Sequence, residues 1–133
     1  MTNIFKGSCL CKRVTFEIEG AMTAFYLCHC SRCRKVSGSA HGANLFSPSA
    51  SVNWLEGKDF VANFKLSQTR FSRSFCRICS SALPDDTRGE YLVVPAGSLD
   101  CDIEMRPTGH IFCSSRANWD NDLESIPSYA EFK

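Results

Sequence analysis

The stretch Cys28-His29-Cys30-Ser31-Arg32-Cys33-Arg34-Lys35 places three cysteines, one histidine and three basic residues in eight positions. Thiols this close together share a metal ion, an iron–sulfur cluster or a bond to each other. Two further groups are spaced for the same chemistry, Cys9-x-Cys11 and Cys76-x-x-Cys79, which leaves Cys101 and Cys113 as singles among nine cysteines. A C-x-x-C segment folds into a knuckle that aims both sulfurs at one point. The C-x-C pair, read as two residues on one face of a strand, does so with flatter backbone. Pairing Cys9 and Cys11 with Cys76 and Cys79 gives four thiolates, a closed tetrahedral shell for zinc that ties the start of the chain to its middle.

Cys28, Cys30 and Cys33 remain as a local set of three, and three protein ligands leave a fourth position for water or substrate. His29, between two ligands on an extended backbone, points the opposite way and is not assigned to the metal. His110, Cys101 and Cys113 stand as candidates to close the site, so a second closed zinc site is the alternative to an open one. Iron–sulfur clusters also take four thiolates, but the spacing matches no ferredoxin run. The plain alternative to all of these is a set of buried apolar cysteines.

The elements that must hold these sulfurs read as short strands. Residues 12–19 alternate, with Val14, Phe16 and Ile18 on one face. Residues 24–28, "AFYLC", form a strand that delivers the central cysteines, and residues 60–66, 71–75 and 91–94 carry similar patterns. Helical periodicity extends to a turn or two around 31–36 and 118–125, and "SPSAS" at 47–51 reads as an exposed loop. The expected fold is mainly β with little helix. With 133 residues and 44% hydrophobic content, one domain over residues 1–133 has enough chain for its own core.

Fifteen basic and 14 acidic residues leave a formal net charge of +1, so no overall field draws the chain to nucleic acid or an anionic membrane. The first residues, MTNIFKGSCLCKR, hold no apolar signal-like segment, and no apolar run reaches the roughly 18 residues of a membrane span. The expectation is a soluble cytoplasmic protein whose closely spaced thiols bind metal, not a disulfide-stapled secreted one.

The segments "GSCLCKRVTF" (7–16), "CHCSRCRKVSGS" (28–39), "FCRICSSAL" (75–83), "AGSLD" (96–100) and "HIFCSSRANW" (110–119), in that order, resemble the glutathione-dependent formaldehyde-activating enzyme (GFA) family, which includes centromere protein V. The resemblance implies an Mss4-like (β-tent) fold with two zinc ions per chain, a structural one on Cys9, Cys11, Cys76 and Cys79 and a second on Cys28, Cys30 and Cys33. It also implies a carbon–sulfur lyase that forms or splits S-hydroxymethylglutathione, with glutathione as co-substrate. Zinc bound by three thiolates carries a formal −1, so its expected work is thiol activation, not polarisation of an aldehyde oxygen.

On that reading Cys28, Cys30 and Cys33 are catalytic and His29 shuttles the thiol proton near its ordinary pKa of about 6.5. Arg34 and Lys35 stabilise thiolates or receive a glutathione carboxylate, the alternative being two solvated charges. His41, His110 and Trp119 are expected to be structural. Ser80 departs from the family pattern by standing where a glycine usually follows Cys79, at a knuckle position that needs positive φ. The competing functions are a non-catalytic zinc module that binds a protein partner and a thiol-responsive zinc sensor; the oligomeric state is left open.

Overall fold

The structure, a computed structural model, describes residues 3–132. The alternation of Val14, Phe16 and Ile18 buries all three side chains completely. The last two lie on β2 (Thr15–Glu19), which is flanked by β1 (Ile4–Ser8) and β5 (Ser51–Glu56) in a three-stranded antiparallel sheet. Trp54 on β5 meets the Phe16 ring edge to face at 5.8 Å. Burying side chains of this size is worth about 1.5–3 kcal/mol each, so this face holds the core together.

A second sheet has the strand order β10 (Gly109–Ile111), β3 (Ala24–Cys28), β4 (Gly42–Ser47) and β9 (Leu92–Pro95), with β10 parallel to β3 and the other pairs antiparallel. Leu45 and Val94 carry the core into it. The third sheet contains β6 (Val61–Lys65), β7 (Ser72–Cys76) and β8 (Ala82–Leu83). The α-helix among the described residues is α1 (Ser31–Ser37), which ends on Gly38 in the left-handed region. No helix of the described residues is long and apolar enough to cross a membrane.

The mainly β expectation holds, and the strand at 24–28 falls where its pattern puts it. Strand β2 starts three residues later than its alternation because Lys12 takes φ 67° to close a turn. The helical reading of 118–125 reduces to a 3₁₀ turn at Leu123–Ser125. The loop at 47–51 is not exposed at its root: buried Ser47 donates through Oγ to the Ala21 carbonyl at 2.6 Å and accepts from the Ala50 N–H at 2.9 Å. One hydroxyl thereby satisfies a tight β4–β5 connection.

Candidate metal centres and the cleft beside them

Two hairpin ends build the first centre. The Cys9 N–H donates to the Val14 carbonyl at 3.0 Å, the Lys12 N–H donates to the Cys9 carbonyl at 3.1 Å, and the Val14 N–H points at Cys9 Sγ at 3.3 Å. Cys9 and Cys11 therefore sit on a turn, not on the strand face expected from C-x-C, because Lys12 reverses the backbone. The second knuckle repeats the device: the Ser80 N–H donates to the Cys76 carbonyl at 2.7 Å and the Ile78 N–H points at Cys76 Sγ at 3.4 Å. Ser80 does adopt the left-handed conformation, at φ 64°. The Leu10 N–H donates to Ser81 Oγ at 2.9 Å and stitches the two knuckles together.

The four sulfurs lie within 4.8 Å of one another, with Cys9 to Cys11 at 3.6 Å and Cys11 to Cys76 at 4.0 Å. Tetrahedral zinc with bonds of about 2.3 Å sets its sulfurs about 3.8 Å apart, so the donor set fits that ion. All nine cysteines are free. The Ser81 hydroxyl, 3.2 Å from Cys79 Sγ, and the Ser81 N–H pull the Cys79 thiol down to about 5, into the thiolate form a metal takes.

The second centre grows from the end of β3. Cys28 is buried, Cys30 caps α1 with its Sγ accepting from the Cys33 N–H at 3.3 Å, and Cys33 lies in the first helical turn. Their three sulfurs also lie within 4.8 Å of one another. Gly42, paired with Cys28, leaves room: a Cβ there would stand 3.6 Å from Cys33 Sγ and 3.2 Å from Asn44 Nδ2. Burial, then the neighbouring Cys28 and Cys30, push the Cys33 thiol far up. Burial also opposes ionisation of Cys30, but the Cys33 N–H and the adjoining thiols outweigh it and its pKa falls. Three crowded thiols cannot all ionise without a cation among them, which is what a metal-binding donor set requires.

Among the described residues no fourth His, Cys, Asp or Glu joins this set. Cys101 and Cys113 are exposed and outside this set, and His110 turns to His29, with Nδ1 2.8 Å from His29 Nε2. His29 itself is completely buried, and its Nδ1 lies 3.2 Å from Asp120 Oδ2, which Arg116 Nε holds at 3.0 Å. His41 completes the cluster, its ring edge-on to that of His29 at 5.1 Å. Burial and then the Arg116 charge lower the His29 pKa. The three histidines thus cluster with one another and not with the sulfurs, and none of them lines the cleft described next.

That cleft, about 650 Å³, opens directly beside Cys28, Cys30 and Cys33. Tyr26, Phe46, Phe71, Tyr91 and Phe112 form much of its wall, and Arg32, Arg70 and Arg88 bring three guanidinium groups to it. Arg34 and Lys35 are not there. Each helical step turns the side chain by about 100°, which carries them past Arg32 and Cys33 to a separate depression beside Trp119. Arg34 Nη1 donates there to the Ser115 carbonyl at 3.0 Å, and Trp119 is 56% exposed instead of packed in the core. Phe112 takes φ 57° while remaining 63% exposed, an arrangement costing about 1–2 kcal/mol for a side chain with a Cβ.

The cleft residues were hidden from pattern reading because five separated segments supply them. Arg32 carried a signal in its place between Cys30 and Cys33, and Arg70, near the Cys76 knuckle with Arg73 and Arg77, reads from sequence as a basic patch or, more simply, a solvated strand edge. Arg88 is held by buried Asp85, whose carboxylate accepts from Ser72 Oγ, the Thr87 N–H at 3.0 Å and Thr87 Oγ1 at 2.6 Å. Burial works against ionisation of Asp85, yet the Ser72 and Thr87 hydrogen bonds outweigh it and hold the carboxyl below its ordinary range.

A crystal structure of a Rhodobacter sphaeroides protein is similar in fold, with a TM-score of 0.58 and 18% sequence identity over 79% of this chain and 98% of that one. No curated protein matches the sequence. The two cysteine sets and the strands that carry them fall inside residues 4–115, the span that matches the family described as glutathione-dependent formaldehyde-activating enzyme, and the chain belongs to that family.

Proposed function

We propose that this chain is a zinc-dependent enzyme of carbon–sulfur lyase type that forms or splits the adduct of a small thiol, such as glutathione, with formaldehyde or another electrophile. In this reading Cys9, Cys11, Cys76 and Cys79 hold a structural zinc, and Cys28, Cys30 and Cys33 a catalytic one. The observation that carries it is the three-sulfur set on the wall of a cleft, with no fourth protein ligand among the described residues. A zinc ion bound there supplies a docking point that keeps an incoming thiol in its nucleophilic thiolate form.

The chain's own groups do the rest. The Cys33 N–H fixes Cys30 Sγ, so two of the three sulfurs are held by the helix start. Arg32, beside them on the cleft, offsets the negative charge of the thiolate set. The aromatic wall limits water around the reacting carbon, which favours the thiol adduct over the aldehyde hydrate. In the forming direction the thiol proton leaves to solvent and the sulfur–carbon bond forms. The carbonyl π pair moves to oxygen, which takes a proton from solvent; splitting is the reverse. His29, off the cleft and bound to His110 and Asp120, acts as a positioning strut for Cys28 and Cys30, not as the proton carrier. Free thiols throughout suit a reducing compartment such as the cytoplasm.

The test combines metal content with exchange NMR on labelled formaldehyde and glutathione. Two zincs per chain and accelerated adduct exchange, lost in Cys33→Ala together with one zinc, support the proposal. Two zincs without any acceleration, either with glutathione or with an apolar thiol such as 4-(sulfanylmethyl)benzoate in its place, overturn it. The reading as a protein-binding zinc module draws on Leu10 and Ile78, 81% and 50% exposed at the knuckle tips, but leaves the cleft unexplained.

A further inference from the structure

We infer that the cleft beside Cys28, Cys30 and Cys33 selects a thiol adduct with an aromatic or branched apolar body and an anionic far end. It discriminates against a zwitterionic peptide such as glutathione. The inference rests on the reading of that cysteine set as the thiol-binding end of the cleft.

The wall carries a run of rings: Tyr26 lies 5.9 Å from Phe46, and Phe46 lies 5.7 Å from Tyr91. Phe112 adds an exposed ring at the cleft, held in a left-handed conformation that its own burial does not repay. Such a surface takes an apolar body and gives the amides of a peptide few partners.

The charge on the wall is of one sign. Arg32, Arg70 and Arg88 line the cleft and no Asp or Glu does. Arg70 is paired with Glu90 outside it. Arg88 is fixed in place: its guanidinium carbon sits 5.9 Å from the centres of both the Phe71 and Tyr91 rings, Nη2 donates to the Ser72 carbonyl at 2.9 Å, Nη1 lies 3.4 Å from Tyr91 Oη, and Nε lies 3.5 Å from Asp85 Oδ2. Of the five N–H groups of a guanidinium, these contacts leave two for a ligand, already oriented. A carboxylate finds charge-assisted donors here, whereas the ammonium group of glutathione finds no carboxylate to meet.

The probes are 3-phenylpropanoate, its neutral isostere 3-phenylpropan-1-ol, the sulfanyl acid 3-(4-(sulfanylmethyl)phenyl)propanoate, whose thiol and carboxylate lie at opposite ends of the ring, and glutathione, each titrated into the zinc-loaded protein by calorimetry. The acid is expected to bind about tenfold more tightly than the alcohol, the worth of one charge-assisted contact. The sulfanyl acid is expected to bind more tightly than glutathione. Arg88→Met should bring acid and alcohol to equal affinity. Because Arg88 is tied to buried Asp85 and its loss endangers the fold, Phe112→Ala, on an exposed side chain, serves as the second variant and should weaken both phenyl probes several-fold.

Equal affinity of acid and alcohol in the unaltered protein, no binding of the acid, or tighter binding of glutathione overturns the inference. Binding of the thiol-free acid does not depend on turnover. Acid binding without formaldehyde chemistry therefore sinks the proposed function alone, and formaldehyde chemistry with glutathione preferred sinks this inference alone.

Discussion

Replacing Cys11 by alanine should cost far more stability than replacing Cys33, although each removes one sulfur from one cluster. Cys11 and Cys76 lie 65 positions apart, so a metal shared by their knuckles cross-links distant parts of the chain. Treated as a cross-link, a loop of that length removes unfolded-chain entropy worth about 4 kcal/mol at 25 °C. Cys30 and Cys33 are three positions apart, and closing so short a loop is worth about 2 kcal/mol on the same scale. Against a total stability of about 5–15 kcal/mol, the first loss is severe and the second tolerable. With a urea slope of about 2 kcal/mol per molar, Cys11→Ala should lower the unfolding midpoint by about 2 M and Cys33→Ala by about 1 M. Zinc content per chain, measured on the same samples, should fall from two to one in each variant. A strong chelator added to the unaltered protein strips both sites and should lower the midpoint by about 3 M, the sum of the two losses. Equal midpoint losses in the two variants, or two zincs retained in Cys11→Ala, refute the division into a long-range tie and a local site.

Three further outcomes follow from the backbone and the buried network. Asp85→Asn should cost about 2–4 kcal/mol at neutral pH, since charge-assisted bonds to Ser72, Thr87 and Arg88 go with it. Because the folded pKa of Asp85 is depressed, that contribution is present above its unfolded value of about 3.9 and is lost as pH falls through the folded value. Denaturation curves of the two proteins should therefore converge below about pH 4, and a gap that stays constant down to pH 2–3 would contradict the network. Ser80→Gly should raise the melting temperature by a few degrees, since glycine reaches φ 64° without the roughly 1–2 kcal/mol cost borne by serine; a fall would mean that the Ser80 Oγ bond to the Cys79 carbonyl outweighs the strain. Gly57→Ala should cost about 3 kcal/mol or more, because the new Cβ would lie 1.9 Å from the Arg13 carbonyl oxygen at φ 75°. An unchanged melting curve would count against that close approach.

The grouping of the sulfurs was legible in the sequence because close spacing brings thiols together locally: Cys28-x-Cys30-x-x-Cys33 makes a set of three, and the pairs Cys9-x-Cys11 and Cys76-x-x-Cys79 each make half of a set of four. The strand at Ala24–Cys28 and the buried row Val14, Phe16, Ile18 were legible for a similar reason, since side chains alternate wherever a strand has one wet face. The turn at Cys9-x-Cys11 was misread as strand because its reversal depends on a left-handed Lys12, which no residue type announces. Strand β4, Gly42–Ser47, mixes small, polar and apolar residues without clean alternation and forms because both neighbours supply hydrogen bonds.

What the sequence alone determined is therefore the grouping of the cysteines, the mainly β character and the family. Only the tertiary structure decided which charges and rings meet the open cysteine set. Arg34 and Lys35, next to it in sequence, are turned away by helical rotation, whereas Arg88, Tyr91 and Phe112 arrive from distant segments. Adjacency in a chain fixes sulfur geometry over a few residues, but a cleft is a surface between elements, and its lining exists only once the sheets have packed.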